Sequence, residues 1–263
     1  MTNIHPKIRT VNVTRYVTPL REGSSLPAIV EADDDGLYVL KFRGAGQGVK
    51  ALIAELVAGE IARSLGLRVP EIVFANLDAA LSQMEPDPEI QDLLHASAGL
   101  NLAMDFLPGS VAYTPLAEKL DAKLASQIVW FDCLVTNIDR TPRNSNLLLW
   151  HKNVWLIDHG ASLYFQHAWE NWKAQSHRPF IQVKDHVLLR YASKLDSADA
   201  ELRARLTSKV IGAIVALIPD DWLSEVIPPG NASLSSEGKR DVYMAFLEER
   251  VRVSGTLFRG DSV

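Results

Sequence analysis

Three polar residues in the middle of the chain have the types and spacing that phosphoryl transfer requires. Asp139 precedes Asn144 by five residues in the polar segment TNIDRTPRNSN, and Asp158 follows Asn144 by fourteen residues, directly after the apolar run VWLI. Phosphoryl transfer needs oxygen ligands for magnesium, cations for the phosphates and a residue that orients the attacking hydroxyl. Carboxylate and amide side chains at these positions could supply the metal ligands and the orienting group.

The order of the three residues narrows their roles. Each signal is weak alone, because an Asp-Arg pair in a loop is commonly a solvated turn and Asp158 could simply end a strand. Together, with a hairpin between Asn144 and Asp158, they match the kinase order of catalytic loop and metal-binding aspartate. We therefore assign Asp139 to the acceptor hydroxyl and expect Asn144 and Asp158 to bind Mg²⁺.

A lysine upstream fits the same chemistry. Lys41 lies inside the apolar run LYVLKF, where an ammonium group is costly unless it has an anionic partner or reaches the edge of the strand. The helical segment that follows contains Glu55 and Glu60. Since a strand lysine paired with a helix glutamate positions the α- and β-phosphates of ATP in kinases, we assign Lys41 a catalytic and ATP-binding role. At this point either glutamate could be its partner.

Two further segments are candidates for nucleotide contacts. The turn REGSS contains Ser24 and Ser25, whose small side chains would let the backbone amides approach a phosphate. The end of the run LNLAMDFL, including Asp105 and Leu107, is a candidate hinge whose backbone would contact adenine. No GxxxxGK[ST] motif is present, which excludes a P-loop nucleotide-binding protein.

The predicted secondary structure that positions these residues changes along the chain, from mainly strands to mainly helices. Alternating apolar residues between positions 10 and 42 predict three antiparallel strands, and helical spacing predicts a helix over 49–65. Strands are expected at 72–76 and 100–106, before the breaker pair Pro108 and Gly109. We place a lobe boundary there, which gives a sheet lobe of residues 1–108 with one helix.

Residues 109–263 form the second predicted lobe, which is mainly helical. Apolar spacing predicts helices over 116–136, 200–218 and 236–253. Between the first two, NLLLW and VWLID predict a β-hairpin that turns through His151, Lys152 and Asn153. The predicted fold class is therefore α+β, with a small antiparallel-sheet lobe and a helical lobe.

Composition excludes several other classes of protein. With 27 basic and 32 acidic residues the net charge is −5, so we expect no direct binding to nucleic acid or to an anionic membrane surface. No run is long and apolar enough for a spanning helix, and the first residues lack the apolar core of a signal peptide. The single cysteine, Cys133, cannot form an internal disulfide, which fits a soluble cytoplasmic protein.

The chain resembles the HipA-like kinases, a branch of the protein-kinase-like superfamily with a bilobal fold. The segments that carry the resemblance are REGSS, YVLKF, AELVAGEIARSLGLRVPE, TNIDRTPRNSNLLL and LIDHGASL. The resemblance implies that Lys41 contacts ATP, that Asp139 is the catalytic acid or base, and that Asn144 and Asp158 bind magnesium. It also implies a protein substrate, with transfer of the γ-phosphate to a serine or threonine.

The resemblance also suggests which glutamate pairs with Lys41. Spacing from the lysine in protein kinases favours Glu60, but the HipA-like pattern places the helix glutamate eleven residues before the glycine of LGL. Counting back from Gly66 gives Glu55, which we predict as the partner and as a nucleotide-site residue.

Three classes of function remain open. The first is a protein kinase and the second is a phosphotransferase that modifies a small molecule, as aminoglycoside kinases do. The third is a nucleotide-binding module that serves interactions without catalysis, and it is disfavoured because every polar residue that transfer requires is present.

Overall fold

The amino-terminal part of the chain folds into a closed five-stranded β-barrel. The computed structural model describes residues 7–20, 26–115, 120–226 and 234–259. The strands are β1 (Arg9–Pro19), β2 (Ala28–Ala32), β3 (Leu37–Lys41), β4 (Ile72–Leu77) and β5 (Gly99–Asp105), in the spatial order β1-β2-β3-β5-β4. Alternate residues point inward, and those of β1 to β3 bury a compact apolar core.

The closing pair of the barrel is parallel, which corrects the prediction of a purely antiparallel sheet. β1 is long enough to pair with two strands: residues 9–12 pair in parallel with β4, and the part from Val13 onwards pairs antiparallel with β2. A register shift lies between Val13 and Arg15. Parallel partners are joined by a long crossover, so local sequence alternation carries no signal for this pairing.

Helix α1 (Val49–Ser64) follows β3 and is buried along most of its length. It packs against β4 and β5 and against two helices of the carboxy-terminal part. Gly66, with φ of 86°, follows its end and adopts a left-handed conformation that residues with a Cβ rarely take. This helix agrees with the predicted segment 49–65 and holds Glu55 in a fixed place beside the barrel.

A second helix in this part of the chain was not predicted. Helix α2 (Pro88–Ala96) lies between β4 and β5, preceded by a 3₁₀ helix (Ala79–Met84). The side chain of Asp87 caps α2 by accepting the Glu89 amide at 3.0 Å, and Ile90 and Leu94 join the apolar core of the barrel. The prediction of one helix was therefore wrong, because a nine-residue segment gives only a short periodic signal.

The carboxy-terminal part begins with a three-stranded antiparallel sheet. Its strands are β6 (Val111–Ala112), β7 (Leu147–Trp150) and β8 (Asn153–Leu156). The turn between β7 and β8 is formed by His151 and Lys152, whose φ angles of 48° and 62° suit a tight two-residue hairpin. The predicted hairpin is present, although Asn153 begins β8 instead of belonging to the turn.

The rest of the described chain is helical. The helices are α3 (Ala122–Val135), α4 (Trp172–His177), α5 (Leu195–Arg203), α6 (Ser208–Val215), α7 (Asp220–Glu225), α8 (Ser236–Arg252) and α9 (Ser254–Leu257). Four 3₁₀ helices lie between β8 and α5: Tyr164–His167, Trp169–Asn171, Ile181–Asp185 and Leu189–Tyr191. No helix in the described ranges is long and apolar enough to cross a membrane.

Two predicted helices begin or divide differently in the structure. The predicted helix 116–136 starts at Ala122, because the Asp121 carboxylate accepts the amides of Lys123 and Leu124 at 2.9 and 3.2 Å and caps it there. Residues 116–119 lie outside the described part. The predicted helix 200–218 is two helices, α5 and α6, because the Thr207 hydroxyl caps α6 and interrupts the helical run.

The apolar core of the carboxy-terminal part extends into α1. Leu52, Leu56 and Ile61 belong to the same hydrophobic cluster as Phe131 of α3 and Phe246 of α8. The proposed boundary between residues 108 and 109 falls between β5 and β6 and stays a prediction.

Candidate active site

Lys41 stands at the end of β3 with its ammonium group between two carboxylates. Its Nζ lies 2.7 Å from Oδ1 of Asp158 and 3.8 Å from Oε2 of Glu55. The lysine side chain is only 11% exposed. Burial alone would lower the pKa of Lys41, but the charges of Glu55 and Asp158 outweigh it and raise that pKa. The lysine is therefore a buried, fixed cation at neutral pH.

Glu55 links this lysine to the segment that follows Asp158. Its other oxygen, Oε1, accepts the backbone N–H of His159 at 3.0 Å and lies 3.3 Å from His159 Nδ1. Burial would raise the pKa of Glu55, but the Lys41 charge and the His159 contacts dominate and lower it to about 2. The carboxylate is thus ionised and held at both oxygens. His159 was not predicted as a site residue.

Glu60 does not contact Lys41. Its carboxylate lies 3.3 Å from Nε of Arg63, on another side of α1, and burial raises its pKa. Residues five apart on a helix point about 140° from each other, so only one of the two glutamates could face the lysine. The structure pairs Lys41 with Glu55, as predicted, while the role of this pair towards a nucleotide stays a prediction.

Replacing Glu55 and Glu60 separately by glutamine tests this assignment. We expect Glu55→Gln to raise the Michaelis constant for ATP by about tenfold, since Lys41 loses one of two charged partners and about 1.4 kcal/mol corresponds to that factor. The matched variant Glu60→Gln should leave the constant unchanged and alter only thermal stability. Steady-state kinetics with the opposite pattern would reassign the pair.

The loop after α3 holds Asp139 by a set of asparagine contacts. Asn144 Nδ2 donates to Asp139 Oδ2 at 2.7 Å, and Asn146 Nδ2 donates to the same oxygen at 3.2 Å. The backbone N–H of Asp139 donates to Asn137 Oδ1 at 3.1 Å. The orientation of the Asp139 carboxylate is therefore fixed, and its second oxygen accepts no side-chain bond within the described residues.

Asn146 is a site residue that the sequence analysis missed. It is buried, has φ of 47°, and its Nδ2 lies 3.5 Å from the main-chain oxygen of Asp158 as well as near Asp139. Asn146 therefore connects Asp139 to Asp158 through its side chain, whereas the side chain of Asn144 donates to Asp139. The position of Asn146 two residues after Asn144 was the signal that could have identified it.

A buried ionic network connects the Asp139 loop to helix α3. Asp132, on α3, accepts Nε of Arg140 at 2.6 Å, Nε2 of His186 at 2.9 Å and Nδ2 of Asn137 at 2.9 Å. The Arg140 guanidinium also donates to the main-chain oxygen of Asn146. Asp132 and Arg140 have no exposed side-chain surface. The network joins both ends of the loop to the core of the helical part.

Removing the carboxylate of Asp132 should strongly destabilise the fold. An unpaired buried guanidinium costs about 3–5 kcal/mol, so we expect Asp132→Asn to lower the free energy of unfolding by that amount. Asp92, exposed on α2, offers a matched control in Asp92→Asn. Chemical denaturation that finds the two variants equally stable would contradict the structural role of the network.

The pKa of the Asp132 carboxylate predicts how the stability of the fold changes at low pH. Burial would raise the pKa of Asp132, but the Arg140 charge and the His186 hydrogen bond lower it to about 2 from a value of 3.8. A lowered native pKa stabilises the fold above the unfolded value and loses that effect as the pH falls through the native value. The contribution should therefore vanish between about pH 4 and about pH 2.

Asp158 presents oxygen to the same site. It has φ of 55° and its side chain is 40% exposed, so a carboxylate oxygen not used by Lys41 can face solvent. Carboxylate and amide oxygens are the ligands that Mg²⁺ prefers, and Mg²⁺ keeps waters or phosphate oxygens in its remaining positions. Asp158 therefore offers an oxygen of the kind that magnesium binds, and its joint coordination of a metal with Asn144 stays a prediction. Within the described ranges no group of three or more His, Cys, Asp or Glu could hold a metal by itself.

The candidate hinge has one backbone N–H without a backbone partner in the described residues, and its acidic side chain lies near another acid. The Leu107 N–H donates no backbone hydrogen bond within the described residues, whereas the preceding Phe106 N–H is bound by Leu37 O at 2.9 Å. The Asp105 side chain lies near Glu71, and burial followed by this charge raises its pKa. The backbone N–H of Asp105 donates to Glu71 O at 2.9 Å, and a nucleotide contact of Asp105 stays a prediction. Ser24 and Ser25 lie outside the described residues.

Comparison with known proteins places this geometry in a family. The family model described as HipA-like kinase matches residues 13–237. Among solved structures, the Helicobacter pylori proinflammatory kinase CtkA is 14% identical with a TM-score of 0.58, over 95% of this chain and 98% of that one. The Golgi casein kinase with Mn/ADP bound is 13% identical with a TM-score of 0.54, over 95% of this chain and 73% of that one. No curated protein sequence matches significantly.

These findings confirm the predicted α+β, protein-kinase-like fold and the resemblance from which it was inferred. At 13–14% identity the solved structures support the fold alone. The family model, in contrast, covers well over half of the chain, including Lys41, Glu55, Asp139 and Asp158. The chain therefore belongs to the HipA-like kinase family and is a phosphotransferase of the protein-kinase-like type.

Proposed function

We propose that this protein is an ATP- and Mg²⁺-dependent kinase that phosphorylates serine or threonine residues of a protein. The observation that carries the proposal is the position of Lys41 between Glu55 and Asp158, 2.7 Å from the latter. A buried lysine with two acidic partners, one of them partly open to solvent, is the arrangement that kinases use to hold phosphates and metal together.

Each residue of this arrangement has a proposed part in binding. The Lys41 ammonium binds the α- and β-phosphates of ATP, and Glu55 holds that ammonium in place through the contact at 3.8 Å. Asp158 and Asn144 would hold Mg²⁺. When bound, the metal would neutralise the negative charge of the phosphates. The backbone around Leu107 contacts adenine.

Asp139 acts on the acceptor. The hydroxyl oxygen of the acceptor forms a bond to the γ-phosphorus, the bond from that phosphorus to the bridging oxygen of ADP breaks, and the hydroxyl proton passes to the Asp139 carboxylate. Asn144 and Asn146 fix this carboxylate by donating to the same oxygen at 2.7 and 3.2 Å. The other oxygen is thereby directed to the incoming hydroxyl.

The comparisons support the proposal that the protein binds a nucleotide together with a divalent metal. A structurally similar protein, the Golgi casein kinase, was solved with Mn/ADP bound. Manganese and magnesium both accept oxygen ligands in octahedral geometry, so the pair Asp158 and Asn144 suits either.

Incubation of the purified protein with ATP labelled in the γ-phosphate, alone and with a cell lysate, tests the proposal. We expect labelled polypeptide that contains phosphoserine or phosphothreonine and depends on Mg²⁺. A labelled small solute instead would identify a small-molecule phosphotransferase. ATP binding without any labelled product would leave the nucleotide-binding module as the function.

A further inference from the structure

A pocket of about 370 Å³ opens beside the loop that carries Asp139. Its lining includes Thr136 and Ile138, just before Asp139, together with Arg178 and Ile181. The backbone N–H of Tyr164 donates to Thr136 Oγ1 at 3.1 Å, which ties the segment after Asp158 to the catalytic loop. A chain segment lying in this pocket would pass within one residue of Asp139.

The walls of this pocket expose apolar surface that the fold leaves uncovered. Ile138 is 36% exposed, Tyr164 is 52% exposed and Ile181 is 53% exposed. All three residues face one pocket, and large apolar side chains that cluster at a surface mark binding sites more than isolated ones do. An apolar side chain of a ligand that covered these three residues would remove their exposed surface from water, which favours binding.

The pocket is also positively charged. Its lining contains Arg178 and Arg250 and no aspartate or glutamate. Arg250 is buried and donates only to main-chain oxygens of the described residues, including Arg178 O at 2.7 Å and Leu134 O at 3.2 Å. Burial lowers the pKa of Arg250 to about 10, so it remains a cation at neutral pH without a carboxylate partner. Arg178 is exposed and forms no ion pair within the described ranges.

We propose that this pocket, named here the acceptor pocket, binds the peptide segment next to the phosphorylated residue and selects acidic and apolar side chains there. The inference rests on the proposed protein kinase function and adds a preference for the acceptor sequence. Ile138, Tyr164 and Ile181 contact the apolar side chain, and Arg178 with Arg250 attracts the acidic one. Aminoglycosides are polycations, which the two arginines of a lining without aspartate or glutamate would repel.

Binding of short fluorescein-labelled peptides, each with one central serine, tests the acceptor pocket without requiring turnover. Neighbouring positions carry glutamate with leucine, lysine with leucine, or alanine only. We expect the Glu-Leu peptide to bind the wild-type protein at least about tenfold more tightly than the other two by fluorescence anisotropy, less so at high salt. Arg178→Glu should abolish this preference, and Ile181→Ser should weaken binding of both leucine peptides.

Arg203→Glu is the matched control, because Arg203 is exposed on α5 outside the pocket and the charge change is the same. It should bind all peptides as the wild-type protein does. Equal affinity of the three peptides, or equal effects of Arg178→Glu and Arg203→Glu, would overturn the acceptor pocket.

A parallel assay with labelled ATP separates this failure from failure of the proposed function. Phosphorylated peptides without preference for glutamate would reject the pocket and keep the kinase. Selective binding of the Glu-Leu peptide without phosphorylation of any peptide or lysate protein would support the pocket as a peptide site and reject the kinase.

Discussion

Replacing Asp139 by asparagine should lower phosphoryl transfer at least about 10²-fold, the low end of what a positioned acid or base supplies. Asparagine keeps an oxygen that can accept from Asn144 and Asn146, so the loop should retain its shape. It cannot take the proton of the acceptor hydroxyl. Since Asp139 makes no contact with Lys41, Glu55 or Asp158, affinity for Mg-ATP should remain nearly unchanged.

The measurement combines turnover with calorimetry on the same preparation. Asp241→Asn is a matched control, because Asp241 is exposed on α8 and has no ion-pair partner in the described part; it should behave as the wild-type protein. Wild-type turnover in Asp139→Asn would reduce Asp139 to a structural residue of the loop. A parallel loss of Mg-ATP affinity would move it from the acceptor to the nucleotide.

Asp158→Asn should impair both nucleotide binding and turnover. The carboxylate contacts Lys41 at 2.7 Å and is proposed as a magnesium ligand, so its loss removes a negative charge from the metal and one partner from the lysine. Glu55 still lies 3.8 Å from the ammonium, which should keep Lys41 in place. We expect the affinity for Mg-ATP to fall at least about tenfold, which corresponds to about 1.4 kcal/mol.

Titration of ATP with and without Mg²⁺ identifies the cause. If Asp158 holds the metal, the variant should lose affinity for Mg-ATP and show little loss for ATP in the presence of a chelator. Unchanged affinity for Mg-ATP would remove Asp158 from the metal site.

The fold was predictable from the sequence where one face of an element is buried. Alternation marked β1 to β3, and helical spacing marked α8, because burial of one side imposes a period on the residues. Helix α1 showed the same spacing of its large apolar residues, although it is buried along most of its length. The parallel pairing of β1 with β4 and the break at Thr207 depend on long-range packing and on one capping hydroxyl. Neither feature alters the spacing of the apolar residues, from which the strands and helices were predicted.

The site was predictable where its chemistry requires a residue type. Lys41 and Asp158 are 117 residues apart, yet a strand lysine and an aspartate after a buried strand each suggested a role. Asp132 and His186 gave no such signal, because polarity alone does not show that a side chain is buried. An aspartate within the apolar run of α3 was the one hint, since such a group is kept only with partners.

A crystal structure with Mg²⁺ and a non-hydrolysable ATP analogue would show whether the site residues hold the nucleotide as proposed. We expect Lys41 Nζ to contact the α- and β-phosphates, Asp158 and Asn144 to bind the metal, and the γ-phosphate to face Asp139. A nucleotide bound away from Lys41, or a metal held without Asp158, would contradict this proposal.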